Sequence, residues 1–306
     1  YALEARSFPL CCLASFIIGS CNACAMYYRF TAAEVAETTP RGPALDYVMA
    51  AGVIAAFCGP GLAIWARDLL APTIFAGSFL MVSCLAGIAL LALRFLKVPP
   101  LTFEERQQSG RPLGEIARQP VFIVALLGGT IGYASMNIMM TSTPLAMTAC
   151  GLTFGDTATV IQWHVLGMYA PAFFVGGIIQ RFGALRVMLA GVTLMLLSIA
   201  VNLSGVATLN FWAALLLIGV GWACLFVGAT TLLIQAYRPA ERNKVQALND
   251  TLVFTLVAMG ALSSGAIQHL LGWSAVNLAI LPGLVIVGLG VAWLGRQPAR
   301  LSQAAG

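Results

Sequence analysis

Charge is what this chain has least of. Lys, Arg, Asp and Glu make up 9% of its 306 residues, against 60% hydrophobic residues, and the mean hydropathy is +0.90. A soluble domain carries about 25% charged residues, and no packing of this chain hides so much apolar surface from water, so its solvent is lipid. The alternation over about ten residues that marks a barrel strand is also missing. There is no P-loop, so ATP drive is not indicated. Histidine is nearly absent: His164 and His269 stand far apart. With no acid pair at mid-membrane depth, an intramembrane enzyme lacks its parts. The net charge of +5 does not point to nucleic acid, because the charges fall in short loops between apolar runs. The eight cysteines lie mostly inside those runs, where cysteine acts as a small hydrophobe. Cys21-Asn22-Ala23-Cys24 has no second pair and reads as helix interior rather than as a metal or redox motif.

What is present is a series of apolar runs of about 20 residues, the length that crosses a bilayer. Nine spans are expected, at about 9–30, 46–66, 72–95, 119–142, 156–179, 187–206, 211–236, 246–269 and 273–295. The long polar stretch 96–118 divides three spans from six, giving expected domains at 1–95 and 119–306 with 96–118 as a cytoplasmic loop. If the first span ends inside, every Lys and Arg except Arg6 and Arg67 falls on one side. Positive residues gather on the cytoplasmic side, so the first residue is expected outside and the C-terminus inside. Trp65, Trp212 and Trp273 then sit at outer ends and Trp293 at an inner end, as interface anchors. The chain opens on Tyr1 without a visible signal peptide and reads as the interior of a longer protein.

The first and last three spans match at an offset near 201, with Arg41 falling on Arg242 and Gly59 on Gly260. A parallel repeat around a long inner loop is the plan of two six-helix halves. Three local patterns join it. They are Gly176-Gly177-Ile178-Ile179-Gln180-Arg181-Phe182-Gly183-Ala184-Leu185-Arg186, Gly52 with Gly59-Pro60-Gly61, and the stretch from Pro239 to Asp250 with Gln162 to Met168. On these residues the chain resembles the major facilitator superfamily, and the last two stretches resemble a little-studied bacterial branch of it. The resemblance implies an all-α polytopic membrane protein of two pseudo-symmetric helical halves. Laid on the family's twelve spans, the chain corresponds to spans four to twelve, with the first three of the N-terminal half missing. It further implies a monomeric permease in the bacterial inner membrane that needs no cofactor. Its partners are the lipid bilayer, a small-molecule substrate and protons. Two departures stand out: Gln180 replaces the acid of the inner-loop motif, and Ser15 stands where proton-coupled members carry an Arg.

Polar residues inside spans mark function by default, since an ionisable group at mid-membrane costs a few kcal/mol. Asn22, Tyr133, Asn137, Thr141, Gln162, His164 and Trp222 are the expected lining of a substrate cavity. Tyr133 and Asn137 are four apart and share a helix face, and Trp222 offers a ring to a flat substrate. His164 either carries a proton or is a neutral residue satisfied by a neighbouring helix. The expected gating residues are Arg29, Glu34, Gly59, Pro60, Gln180, Arg181, Gly183, Arg242 and Asp250. Asp250 either pairs with Arg181 or Arg242 at the inner mouth or serves a helix start, and Arg29 snorkels or anchors. Gly167 to Pro171 is expected to kink its span.

The function expected is secondary transport of a small organic solute by alternating access. The Gly59-Pro60-Gly61 motif tilts it towards proton-coupled efflux. The alternatives are a non-transporting membrane sensor or scaffold and an inactive truncated permease, with an intramembrane enzyme a remote third.

Overall fold

The computed structural model describes residues 2–26, 41–95 and 110–297, and among these every regular element is a helix. The chain divides into two compact units, Tyr1–Leu101 and Thr102–Gly306. Arg29 and Glu34 lie outside the described residues.

The first unit holds α1 (Phe8–Met26), α2 (Arg41–Ala66) and α3 (Ala76–Leu93). A tight turn joins α2 to α3: Phe75 takes φ 68°, the Arg67 guanidinium lies over its ring at 5.6 Å, and Gly77 sits against the Ala66 carbonyl. Ser78 Oγ of α3 donates to the Ala63 carbonyl of α2 at 3.0 Å. An apolar cavity of about 270 Å³ remains between them, lined by Gly59, Leu62, Phe79 and Val82 among others.

The second unit holds α4 (Leu113–Ala117), α5 (Pro120–Ala149), α6 (Phe154–Tyr169), α7 (Ala172–Phe182), α8 (Ala184–Leu203), α9 (Thr208–Ile234), a 3₁₀ turn (Pro239–Glu241) and α10 (Arg242–Gly295). Proline at the first position of α5 costs nothing, because the N–H it lacks has no helical partner there. A capping box starts α6: Thr153 Oγ1 accepts from the Asp156 amide at 3.2 Å, and the Asp156 carboxylate accepts from the Thr153 amide at 3.0 Å. Between α6 and α7 the chain bends by 44° at Ala170 and Pro171, the kink expected from Pro171. Gly183 turns α7 into α8 at φ 84°, a conformation that a side chain resists. Gly272 does the same inside α10, where φ 82° and ψ 179° break it into limbs 242–271 and 273–295.

Among the described residues, five helices are long and apolar enough to cross a membrane, six if α6 and α7 form one bent span, and α10 supplies two membrane-length limbs. The nine expected spans coincide with α1, α2, α3, α5, α6 plus α7, α8, α9 and the two limbs of α10. Their bounds need correction. The span expected to end at 142 continues to Ala149 through Pro144, since an apolar bundle holds a helix together past one missing N–H. The span expected to start at 246 begins at Arg242, directly from the 3₁₀ turn.

At the centre of the second unit, α9 touches α5, α6 and α8. Lipid gives helices no hydrophobic reason to associate, so small residues let them approach and pack. A Cβ at Gly191 of α8 would stand 2.7 Å from the Gly221 carbonyl and 2.8 Å from the Leu225 amide of α9. Around this contact Met188, Met195, Ile218 and Leu225 are fully buried, and Ser198 Oγ donates to the Ala214 carbonyl at 2.8 Å.

Candidate functional site

The same glycine logic sets α5 against α9. Cβ atoms at Gly128 and Gly132 would press on Met188 and on Leu225 at 2.7 Å. That approach brings Tyr133, one residue beyond Gly132, edge-on to Trp222, with ring centroids 5.5 Å apart at 84°. Trp222 stacks on Phe226 one turn along α9, at 5.0 Å and 14°. Tyr133 also meets Phe226 at 5.6 Å and Phe254 of α10 at 5.8 Å. Four rings from three helices thus form one cluster. Two polar atoms in and near it are buried without a partner: the Trp222 indole N–H and, one turn from Tyr133 on α5, the Asn137 side-chain amide oxygen. A buried polar group left unpaired costs about 1–3 kcal/mol. Ring faces and ring edges stand together there with an unpartnered donor and an unpartnered acceptor nearby, groups that suit a flat heteroaromatic ligand.

Of the residues expected to line a cavity, Tyr133 and Trp222 meet in this cluster, and Asn137 stands one turn from Tyr133 on the same helix. His164 is not among them. It is fully buried against α9, where Nδ1 lies 2.8 Å from the Leu215 carbonyl oxygen. A carbonyl only accepts, so Nδ1 carries the proton and Nε2, enclosed without a partner, keeps a lone pair. A Cβ at Gly219 would sit 2.7 Å from the His164 carbonyl, so this glycine seats the histidine. Gln162, two residues away, is half-buried on another face of α6, and Thr141 is exposed on α5. Asn22 lies within α1.

Gly59 and Pro60 fall inside α2. Gln180, Arg181 and Gly183 are exposed at the α7–α8 turn, with the Arg181 guanidinium over the Phe182 ring at 5.3 Å. Arg242 opens α10. Asp250 stands eight residues further, two turns in, beyond the reach of the helix-end dipole. It accepts from Asn249 at 3.1 Å and forms no ion pair among the described residues.

The charge cluster that sequence reasoning missed is centred on Glu241. Its side chain is fully enclosed and pairs with Arg111, Nη2 to Oε2 at 2.8 Å. It also accepts from Arg111 Nε at 2.9 Å, the Arg111 amide at 2.7 Å and the Arg238 amide at 2.9 Å. A Cβ at Gly110 would collide with the Glu241 side chain, and Lys244 Nζ donates to the Arg111 carbonyl. The Arg111 hydrogen bonds are the main reason the carboxyl is pulled down to about 2, and Arg111 is raised in return. The clasp fastens the entry to α4 and α5 onto the α9–α10 connection. In sequence, the one available signal was Glu241 among Arg238, Arg242 and Lys244.

The family model described as Major Facilitator Superfamily matches residues 134–306. The Riboflavin transporter RfnT of Brucella anthropi is 38% identical over 285 residues, covering 92% of this chain and 72% of that protein. Two Bacillus subtilis proteins, the uncharacterized MFS-type transporters YddS and YdeG, are each 26% identical. They cover 86% and 92% of this chain, which spans 65% and 68% of their lengths.

Proposed function

The chain belongs to the major facilitator superfamily, a family of membrane-embedded secondary transporters of small solutes and not of enzymes, and from that premise we propose that its solute is a flat heteroaromatic of the flavin type. The observation that carries this reading is the 38% identity to a riboflavin transporter across 92% of the chain. The chemistry of the aromatic cluster supports it. A tricyclic ring can stack in line with Trp222 and Phe226, take an edge from Tyr133, and pair with the indole N–H and the Asn137 carbonyl. In this reading Tyr133, Asn137 and Trp222 touch the solute.

The remaining expected residues take supporting roles. Gly59 and Pro60 let α2 flex, Asp250 and Arg242 work at the inner mouth, and the α7–α8 turn around Arg181 and Gly183 moves during alternating access. The protein works as a monomer in the bacterial inner membrane, with residues 96–118 and the C-terminus cytoplasmic. Proton exchange drives export. The Nε2 lone pair of His164 supports that coupling, because it can accept a proton without disturbing the bond to Leu215.

Entrance counterflow in proteoliposomes tests the solute independently of direction and coupling. Vesicles bearing the full-length protein are loaded with unlabelled riboflavin and given labelled riboflavin outside. A transient overshoot of label is expected, and its absence with inserted, folded protein overturns the reading. Repeating the assay with an imposed pH gradient tests the coupling: a gradient that leaves net flux unchanged removes the proton and keeps the solute.

A further inference from the structure

A second concave surface lies away from the aromatic cluster. It is a groove of about 630 Å³ between the start of α8, the end of α9 and the end of α10. Leu185, Leu189, Val291 and Ala292 form apolar walls, and Arg186 and Arg296 stand among the lining residues. Both arginines are exposed, and neither has an acidic partner among the described residues.

The helical repeat tells which way they face. Arg186 and Leu197 are eleven residues apart on α8, three turns and nearly the same azimuth, and Leu197 is 49% exposed. Leu289 is seven residues before Arg296, two turns, and is 67% exposed. A large apolar side chain left exposed on a membrane-spanning helix faces lipid, so each arginine surmounts a lipid-facing stripe. Trp293, 44% exposed one turn before Arg296, is the residue type that marks the headgroup level. The groove therefore sits where acyl chains end and headgroups begin, with apolar walls on the chain side and two unpaired positive charges on the headgroup side.

We propose that this groove binds an anionic phospholipid, its phosphate held between Arg186 and Arg296 and an acyl chain laid against Leu185, Leu189 and Val291. Unpaired guanidinium groups favour a phosphate diester in planar, two-toothed fashion. A zwitterionic lipid brings its own cation to the same place and gains less. The site is independent of the transported solute.

Native mass spectrometry of the full-length protein, offered equal phosphatidylglycerol and phosphatidylcholine in mixed micelles, reads the occupancy directly. The wild-type protein retains phosphatidylglycerol in preference. An Arg186→Gln/Arg296→Gln double variant loses the preference by about tenfold or more, since each basic residue at a membrane surface is worth about fivefold. Arg94→Gln, in the first unit, keeps it. Arg186→Lys/Arg296→Lys retains part of it, and Leu189→Trp, which fills the groove, loses it with both charges intact. If glutamine destabilises the protein, the lysine and tryptophan variants carry the test alone. Equal retention of the two lipids by the wild type overturns the proposal, as does undiminished preference in the glutamine or tryptophan variants.

Discussion

α3 and α5 are both membrane-length helices, and α3 is the more apolar of the two. Yet 6% of the most apolar stretch of α3 is buried, against 61% of that of α5. The contrast holds across the units. In the first, Ala66 is the one buried apolar residue among the side chains described; in the second, Phe122, Met139, Phe211, Leu225 and Leu284 belong to an extensive core. Apolarity decides that a helix lives in lipid, and it does not decide what the helix packs against. Packing follows the close contacts that small residues make, not their number: Gly59, Gly61 and Gly87 of the first unit meet nothing within 4 Å, whereas Gly191 and Gly221 of α8 and α9 meet each other's backbone.

The largest break in the contrast comes from the backbone contact of α8 with α9. Gly191→Leu drives a side chain into the Gly221 carbonyl and the Leu225 amide, which cannot step aside. A loss of about 3 kcal/mol or more is expected, read as a lower melting temperature by scanning fluorimetry in detergent. Gly87→Leu on α3 meets nothing within 4 Å and should change stability by less than about 0.5 kcal/mol. Equal effects at the two positions would abolish the distinction between the units.

Next comes the clasp. Glu241→Gln removes the charge that Arg111 pairs with and should cost about 2 kcal/mol, the scale of a hydrogen bond to a charged group. The pH dependence fixes the cause. The carboxyl is held at about 2, below its ordinary value of 4.5. The stabilisation is therefore fully present above about pH 4.5 and is lost as pH falls from there towards about 2. The melting-temperature gap between wild type and variant should be wide at neutral pH and narrow steadily on acidification. A gap that does not change with pH would assign the loss to shape rather than charge.

The smallest effect belongs to the first unit. Ser78→Ala removes the bond to the Ala63 carbonyl and should cost about 0.6 kcal/mol, the mean for such bonds in membrane bundles. A cost like that of Glu241→Gln would mean that the first unit packs more firmly than its burial implies.

These differences explain what could be read from the sequence. The spans were legible because each needs only length and apolarity, and the kink before α7 was legible because Pro171 lacks an N–H. Tyr133 and Trp222 were legible as polar-edged rings in apolar runs. Phe226 and Phe254 were not, because a phenylalanine in an apolar helix has the composition of ordinary packing whether or not it joins a cluster. His164 and Gln162 look like neighbours in sequence, but two residues turn a helix through more than half a circle, which sends His164 into α9 and Gln162 elsewhere. Glu241 was hidden because its partner, Arg111, lies 130 residues away, and no local pattern marks a bond of that span. Gly272 reads as part of the short connection between two spans, and its non-helical backbone angles place the break between the two limbs of α10 there.

The aromatic cluster is the proposed place of solute binding. Riboflavin fluorescence, titrated with purified full-length protein, tests this most directly, because stacking on an indole quenches the flavin. Saturable quenching is predicted for the wild type, with affinity weakened about tenfold in Trp222→Ala, the order of one stacked ring, and unchanged in Trp163→Phe, on α6 against Trp212 near the start of α9. Undiminished quenching by a folded Trp222→Ala protein would contradict the account.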